Sequence, residues 1–250
     1  MEYIKPVGMT TVQFINLIKE DEKLDKITFS GRLDPMARGK LLVFKNENCK
    51  LAKSYHSNKK TYQFEIIIGI KTDTDDALGI IEEYIISDIK DNNINDYKKK
   101  IVDYVNNLDD NIFEQRYHDF SSKVFFKNKN FVDKNKLNLV NKVQIYDKKI
   151  IGSDIYNYKY WIEDIITSIN NIDNNNNSSM NSSMNSFRQD QIISQWNKIL
   201  DNLEYDKNIY LVKLELTVSS GFYVRQFVND MSFKLGIPLM VYDINRIEFC

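Results

Sequence analysis

An α+β fold is predicted by three features of this 250-residue chain. Thr61 to Ile70 alternates, with Tyr62, Phe64, Ile66, Ile68 and Ile70 on one side, as a strand buried on one face does. Val143 to Ile151 and Ile209 to Val218 are two further strand-like runs, the second with Val212, Leu214, Leu216 and Val218 facing one way. Between and after them, apolar residues recur at helical spacing over 92–108 and 224–235.

The elements follow in order. Thr10 is placed as an N-cap with Gln13 three residues on, and Met9 and Phe14 are spaced as a hydrophobic staple. Val12, Ile15 and Ile18 then form the buried face of a helix to about Glu20. Leu41 to Phe44 reads as a short buried strand. Ile94, Tyr97, Ile101, Val105 and Leu108 mark one stripe of a surface helix. Ile169 to Ser186 is rich in Asn and Ser and lacks the apolar surface to offset its ordering entropy, so 169–186 is expected to be a disordered insertion. A helix with a wide apolar face follows, through Phe187, Ile192, Ile193, Trp196, Ile199, Leu200 and Leu203. Val224, Phe227, Val228, Met231 and Leu235 mark another, with Gly236 as its C-cap, and Ile244 to Phe249 is the last strand.

Composition fits one domain over 1–250, since 42% hydrophobic residues suffice for a sizeable interior. Cys49 and Cys250 are far apart and lack metal-ligand spacing, which argues against a disulfide framework or a zinc site. The N-terminus does not read as a signal peptide, and no apolar run reaches membrane-spanning length, so a cytoplasmic protein is expected, with the nucleus an alternative. The formal net charge is −1, but residues 1–60 hold 12 Lys/Arg against 7 Asp/Glu. Lys40, Lys45, Lys50, Lys53, Lys59 and Lys60 continue that positive bias and could track a phosphate backbone.

The centre of this basic region is Ser30 to Gly39, which sets Asp34 between two glycines, Pro35, Arg32 and Arg38. Pro35 fixes its own φ and pushes Asp34 toward extended geometry, so the loop presents one acid among permanent positive charges. An ordinary Asp-Pro turn would share those features. Two metal-dependent readings of Asp73-Thr74-Asp75 fail on the residues. Ala77 stands where a phosphatase signature needs Thr or Val, and counting from Asp73 the twelfth position of an EF-hand would be Tyr84. His56 and His118 are expected at the surface.

Four blocks carry a likeness to a known family. Lys5 to Thr10, Gly31 to Gly39, Lys60 to Tyr62 and Gly221 to Arg225 resemble, in order, its KPxGMT, GxLDPxAxG, K-x-Y and G-x-Y-x-R motifs. The family is the TruB family of RNA pseudouridine synthases, which includes the dyskerin-type enzymes. Thr72 to Asp75 with Gly79 is similar to its TDTxDxxG turn, and Gln115 to Lys123 to a diverged QxPPxYSAxK without either proline. The likeness covers roughly residues 3 to 151 and 208 to 249.

The resemblance implies a pseudouridine-synthase-like core with a mixed, largely antiparallel central sheet flanked by helices. It implies isomerisation of uridine to pseudouridine in RNA, with no metal and no cofactor. Asp34 would be the nucleophile, Arg225 its ion-pair partner, and Tyr62 a ring for stacking with a hydroxyl for proton movement. Lys5 would support the loop and, with Phe29, Arg32, Arg38, Lys59, Lys60 and Tyr223, make up the RNA-binding set. Phe29 stands where the family has a histidine that helps fill the place of an extruded base, so an aromatic wedge replaces an imidazole. The chain stops at Cys250 without the C-terminal PUA domain common in relatives, which points to a compact tRNA T loop as the RNA. A monomer is expected. The rival function is a catalytically weak or inactive RNA-binding module, an RNA chaperone on the same fold. Retention of Asp34, Tyr62 and Arg225 together argues against it, because RNA binding alone does not need that trio.

Overall fold

A computed structural model describes residues 1–86, 89, 91–121, 140–174, 182–202 and 208–249. In chain order the elements are β1 (Glu2–Lys5), α1 (Thr11–Asp21), β2 (Ile27–Ser30), β3 (Ala37–Lys45), a 3-10 helix (Asn46–Tyr55), β4 (Lys60–Ile68), β5 (Ile70–Thr72) and β6 (Ile81–Tyr84). They continue with α2 (Asp91–Asn106), β7 (Phe113–Arg116), β8 (Val140–Val143), β9 (Ile145–Asn157), α3 (Tyr158–Asn174), α4 (Ser182–Asn202), β10 (Asn208–Val218), α5 (Val224–Leu235) and β11 (Leu239–Phe249). This is the expected α+β class. No described helix is long and apolar enough to cross a membrane.

Seven strands form one sheet in the order β1-β3-β11-β4-β10-β9, with β2 also on β3. Every pairing in it is antiparallel except β3 with β11. Because β1 and β2 both pair with Leu42, and β1 and β11 both pair with Gly39, β11 and β2 share the edge of β3 opposite β1. The loop from Gly31 to Met36 leaves β2 and enters β3 on that edge. Gly39 permits the parallel contact: a Cβ there would lie 2.3 Å from the Arg246 carbonyl oxygen, and its φ is +109°.

Both faces of the sheet are covered. Phe64, Ile66, Val212, Leu214 and Leu216 pack with Ile101 and Val105 of α2 and with Phe227, Val228 and Met231 of α5. On the other face Ile67, Leu211 and Met240 pack with Trp161, Ile162 and Ile165 of α3 and Trp196 of α4. β4 is therefore buried on both sides at its far end, where alternation predicts one. Gly69, at φ +97°, ends β4, so Ile70 turns into β5 and joins the second core instead of the face it is expected to share.

Several local expectations are also refined. The Thr10–Gln13 capping box is present, with Gln13 N–H donating to Thr10 Oγ1 at 3.1 Å and Thr10 N–H to Gln13 Oε1 at 2.7 Å. Ile15 and Ile18 are buried as expected, but Val12 is exposed and Thr11 takes its place inward. The Val143–Ile151 run is two strands, broken at Gln144 where Ser219 exchanges hydrogen bonds with it. The insertion expected over 169–186 is contradicted at both ends. α3 runs to Asn174 because Ile169 and Ile172 are buried against the second core, and α4 begins at Ser182; 175–181 lies outside the described residues.

Candidate active site

The Asp34 loop is fixed from the N-terminal segment. Lys5 is fully buried, and its Nζ donates to the carbonyls of Pro6 and Ala37, both at 2.7 Å, with Pro35 O at 3.4 Å. Gly8 N–H donates to Pro35 O, and Thr11 Oγ1 both donates to Leu33 O and accepts from Leu33 N–H. Ala37 N–H donates to Asp34 O, closing a turn with Pro35 at its second position. Asp34 thus sits at the head of a tethered Asp-Pro turn. Lys5 consequently does not belong to an RNA-contacting surface: its ammonium is spent on loop carbonyls, and burial holds its pKa down at about 8 against the pull of Asp34.

Arg225, the second residue of α5, reaches this turn from the far end of the chain. Its Nε donates to Asp34 Oδ2 at 2.9 Å and its Nη2 lies 2.9 Å from the same oxygen. Its Nη1 donates to Thr74 O at 3.0 Å and stands 3.4 Å from Asp76 Oδ2. Burial alone would lower the Arg225 pKa, but Asp34 and Asp76 together hold it above the ordinary arginine value. The guanidinium is a fixed cation between two acids, and the Asp34 side chain keeps 36% of its exposure.

Asp34 opens onto a cavity of about 390 Å³. Tyr62, buried in β4, Phe222 and Tyr223 from the glycine turn before α5, and Val224 at the start of α5 form aromatic and apolar walls. Phe29 and Arg32 stand on the β2 side, with the Arg32 guanidinium 5.7 Å from the Phe29 ring centre. Lys60 and Arg246 line the same cavity. Burial, then the neighbouring Arg246 charge, pushes the Lys60 pKa down to about 8. Tyr223 is pushed up to about 12 by burial, with Tyr117 and Asp34 adding to it.

The expected residues divide on this geometry. Asp34, Tyr62, Arg225, Phe29, Arg32, Lys60 and Tyr223 converge on the cavity. Arg38 does not line it; its guanidinium forks onto Asp243 at 2.7 Å. Lys59 lies with its ammonium 3.7 Å from the Tyr146 ring centre, beside the site and not in it. The basic surface is also smaller than composition suggests, since Lys40 pairs with Glu2 and Lys45 with Glu22.

A family profile described as TruB family pseudouridylate synthase (N terminal domain) matches residues 19–108, which include Asp34 and Tyr62. The tRNA pseudouridine synthase B of Malacoplasma penetrans is 24% identical over 98% of this chain and 82% of its own length. That of Aquifex aeolicus is 36% identical over 32% of this chain, a stretch spanning only 28% of the Aquifex protein. A chain of a solved Cbf5-Nop10-Gar1 complex superposes over 98% of this chain and 47% of its own length, with a TM-score of 0.52 at 13% identity, a likeness of fold. The chain is thus similar to TruB-family proteins, by profile over 19–108 and by sequence along most of its length.

Four site residues of this chain escape sequence reasoning. Asp76 and Arg246 act through partners remote in sequence, Arg225 and the Gly31 and Lys40 carbonyls. Gln115 holds Tyr223 in both directions, donating to its carbonyl at 3.0 Å and accepting from its N–H at 2.8 Å. His118, expected at the surface, is buried against Asp75. Asp73 and Asp75 are likewise committed, to Arg188 and to Lys71 with His118, which leaves the phosphatase reading without free carboxylates.

Proposed function

We propose that this chain is an RNA pseudouridine synthase acting on tRNA, at a uridine of the T loop, in the cytoplasm, with Asp34 as nucleophile. The observation that carries the reading is the Arg225 fork on Asp34 Oδ2 at the mouth of an aromatic-walled cavity. Arg225 holds a partly buried carboxylate in one orientation, as a nucleophile needs. The reaction breaks the bond between ribose C1′ and uracil N1, turns the base, and joins C1′ to C5; C5 loses a proton and N1 gains one. Substrate and product are isomers, so the balance closes without an oxidant or a co-reactant.

The chain's residues divide the work. Extruding a uridine from a folded loop costs a few kcal/mol, which Phe29 offsets by stacking in the gap while Tyr62 and Tyr223 take the base. Arg32 and Lys60 supply positive charge on the side where the phosphates of that nucleotide pass. Relatives named tRNA pseudouridine synthase B, one matched over 98% of this chain and 82% of its own length, support tRNA as the substrate.

Incubation with unmodified tRNA transcript followed by pseudouridine mapping tests this. The wild-type protein is expected to modify one T-loop position and Asp34→Ala none, while still binding the transcript. Wild-type protein that binds tRNA yet yields no product at any position would replace the enzyme by an RNA-binding module.

A further inference from the structure

We infer that His118 is a positioning residue, which through Asp75 holds the 74–76 turn that aims Arg225 at Asp34. The inference rests on the function proposed above for that pair. His118 and Asp75 are each 2% exposed, and His118 Nε2 lies 2.9 Å from Asp75 Oδ2. The Phe120 amide N–H donates to His118 Nδ1 at 3.2 Å. An amide N–H can only donate, so Nδ1 is the bare nitrogen and Nε2 carries the proton that Asp75 accepts. The ring is thereby held in one orientation with both nitrogens hydrogen-bonded.

Asp75 is where such a tether acts. Its backbone is left-handed, at φ +56°, a conformation uncommon outside glycine that aspartate tolerates better than most residues. Its neighbours on either side are the two second contacts of Arg225, Thr74 through its carbonyl and Asp76 through its carboxylate. Asp75 Oδ1 accepts from Lys71 Nζ at 3.2 Å, Lys71 also donates to Asn229 of α5 at 2.9 Å, and the Asp75 carbonyl accepts from Val241 N–H. His118 supplies the bond from the remaining side. Its own carbonyl accepts from Ser121 N–H, and Ser121 lines the cavity, so one imidazole joins the turn behind Arg225 to the segment in front of it.

The test compares His118→Ala, His118→Asn and His118→Gln in the full chain. Glutamine reproduces the donor at the Nε2 position, whereas asparagine reaches only that of Nδ1. With arginine side chains labelled with nitrogen-15, hydrogen exchange at Arg225 Nε–H reads its bond to Asp34 directly. Arg246 Nε–H, bonded to the Lys40 carbonyl, is the internal control. His118→Ala and His118→Asn are expected to speed Arg225 exchange by about tenfold without moving Arg246, and His118→Gln to restore it. Turnover on tRNA should fall about a hundredfold in the first two, the scale on which a misplaced catalytic group tells, with RNA affinity within about twofold of wild type. Unchanged Arg225 exchange in both variants, or equal acceleration at Arg246, overturns the inference. Expected exchange in a wild-type protein that makes no pseudouridine would instead overturn the proposed function and leave the tether standing.

Discussion

At the scale of single residues, the geometry of one guanidinium decides what substitution does. Arg225 spends three nitrogens on Asp34 and the Thr74–Asp76 turn, and one ammonium cannot bridge both. Arg225→Lys should therefore cut single-turnover pseudouridine formation by about a hundredfold while changing tRNA affinity less than about threefold. Lys60 gives a pH dependence. Its pKa of about 8 keeps it mostly charged at neutral pH and discharges it as pH rises further, so tRNA affinity should fall through that value. Lys60→Met should flatten the fall and lower the salt slope by about one, as read by binding titrations at several pH values and salt concentrations. The sign for stability is opposite. Between about 8 and the unfolded value of 10.5 the folded state binds fewer protons at Lys5 and Lys60, so these groups make folding more favourable as pH rises there. Asp34, Tyr62 and Arg225 were legible because each lies inside a short motif. His118 was not, since its meaning depends on Asp75, 43 residues away, and an isolated polar residue reads as surface.

At the scale of elements, the 72–81 connection is braced from outside by α4. Arg188 pairs with Asp73 at 2.6 Å, Trp196 Nε1 donates to Ala77 O at 3.2 Å, and Gln195 Oε1 accepts from Ile81 N–H at 2.8 Å. Trp196 is fully buried and stacks edge-on against Trp161 of α3. Trp196→Ala should destabilise the chain by about 3–5 kcal/mol in urea denaturation, since it leaves both a large cavity and an unpaired carbonyl. The apolar stripe of α4 was visible in the sequence. Its partnership with α3 was not, because the Asn- and Ser-rich run between them masks the helical pattern at both of its flanks.

At the scale of the whole molecule, alternation found the strands but not their order. The parallel β3–β11 contact depends on Gly39 meeting Arg246 at a distance no local pattern encodes. Net charge was similarly coarse, because Arg38, Lys40 and Lys45 are neutralised by Asp243, Glu2 and Glu22. The Asp34–Arg225 pair spans 191 residues. On a ribosome adding about 5–20 residues per second, the carboxylate emerges roughly ten to forty seconds before its guanidinium has been synthesised. Nascent protein therefore carries the acid loop, tethered by Lys5, before the guanidinium that pairs with Asp34 exists. Competence toward RNA switches on late, when α5 docks, so an interrupted translation product carries the conspicuous motif and none of its chemistry.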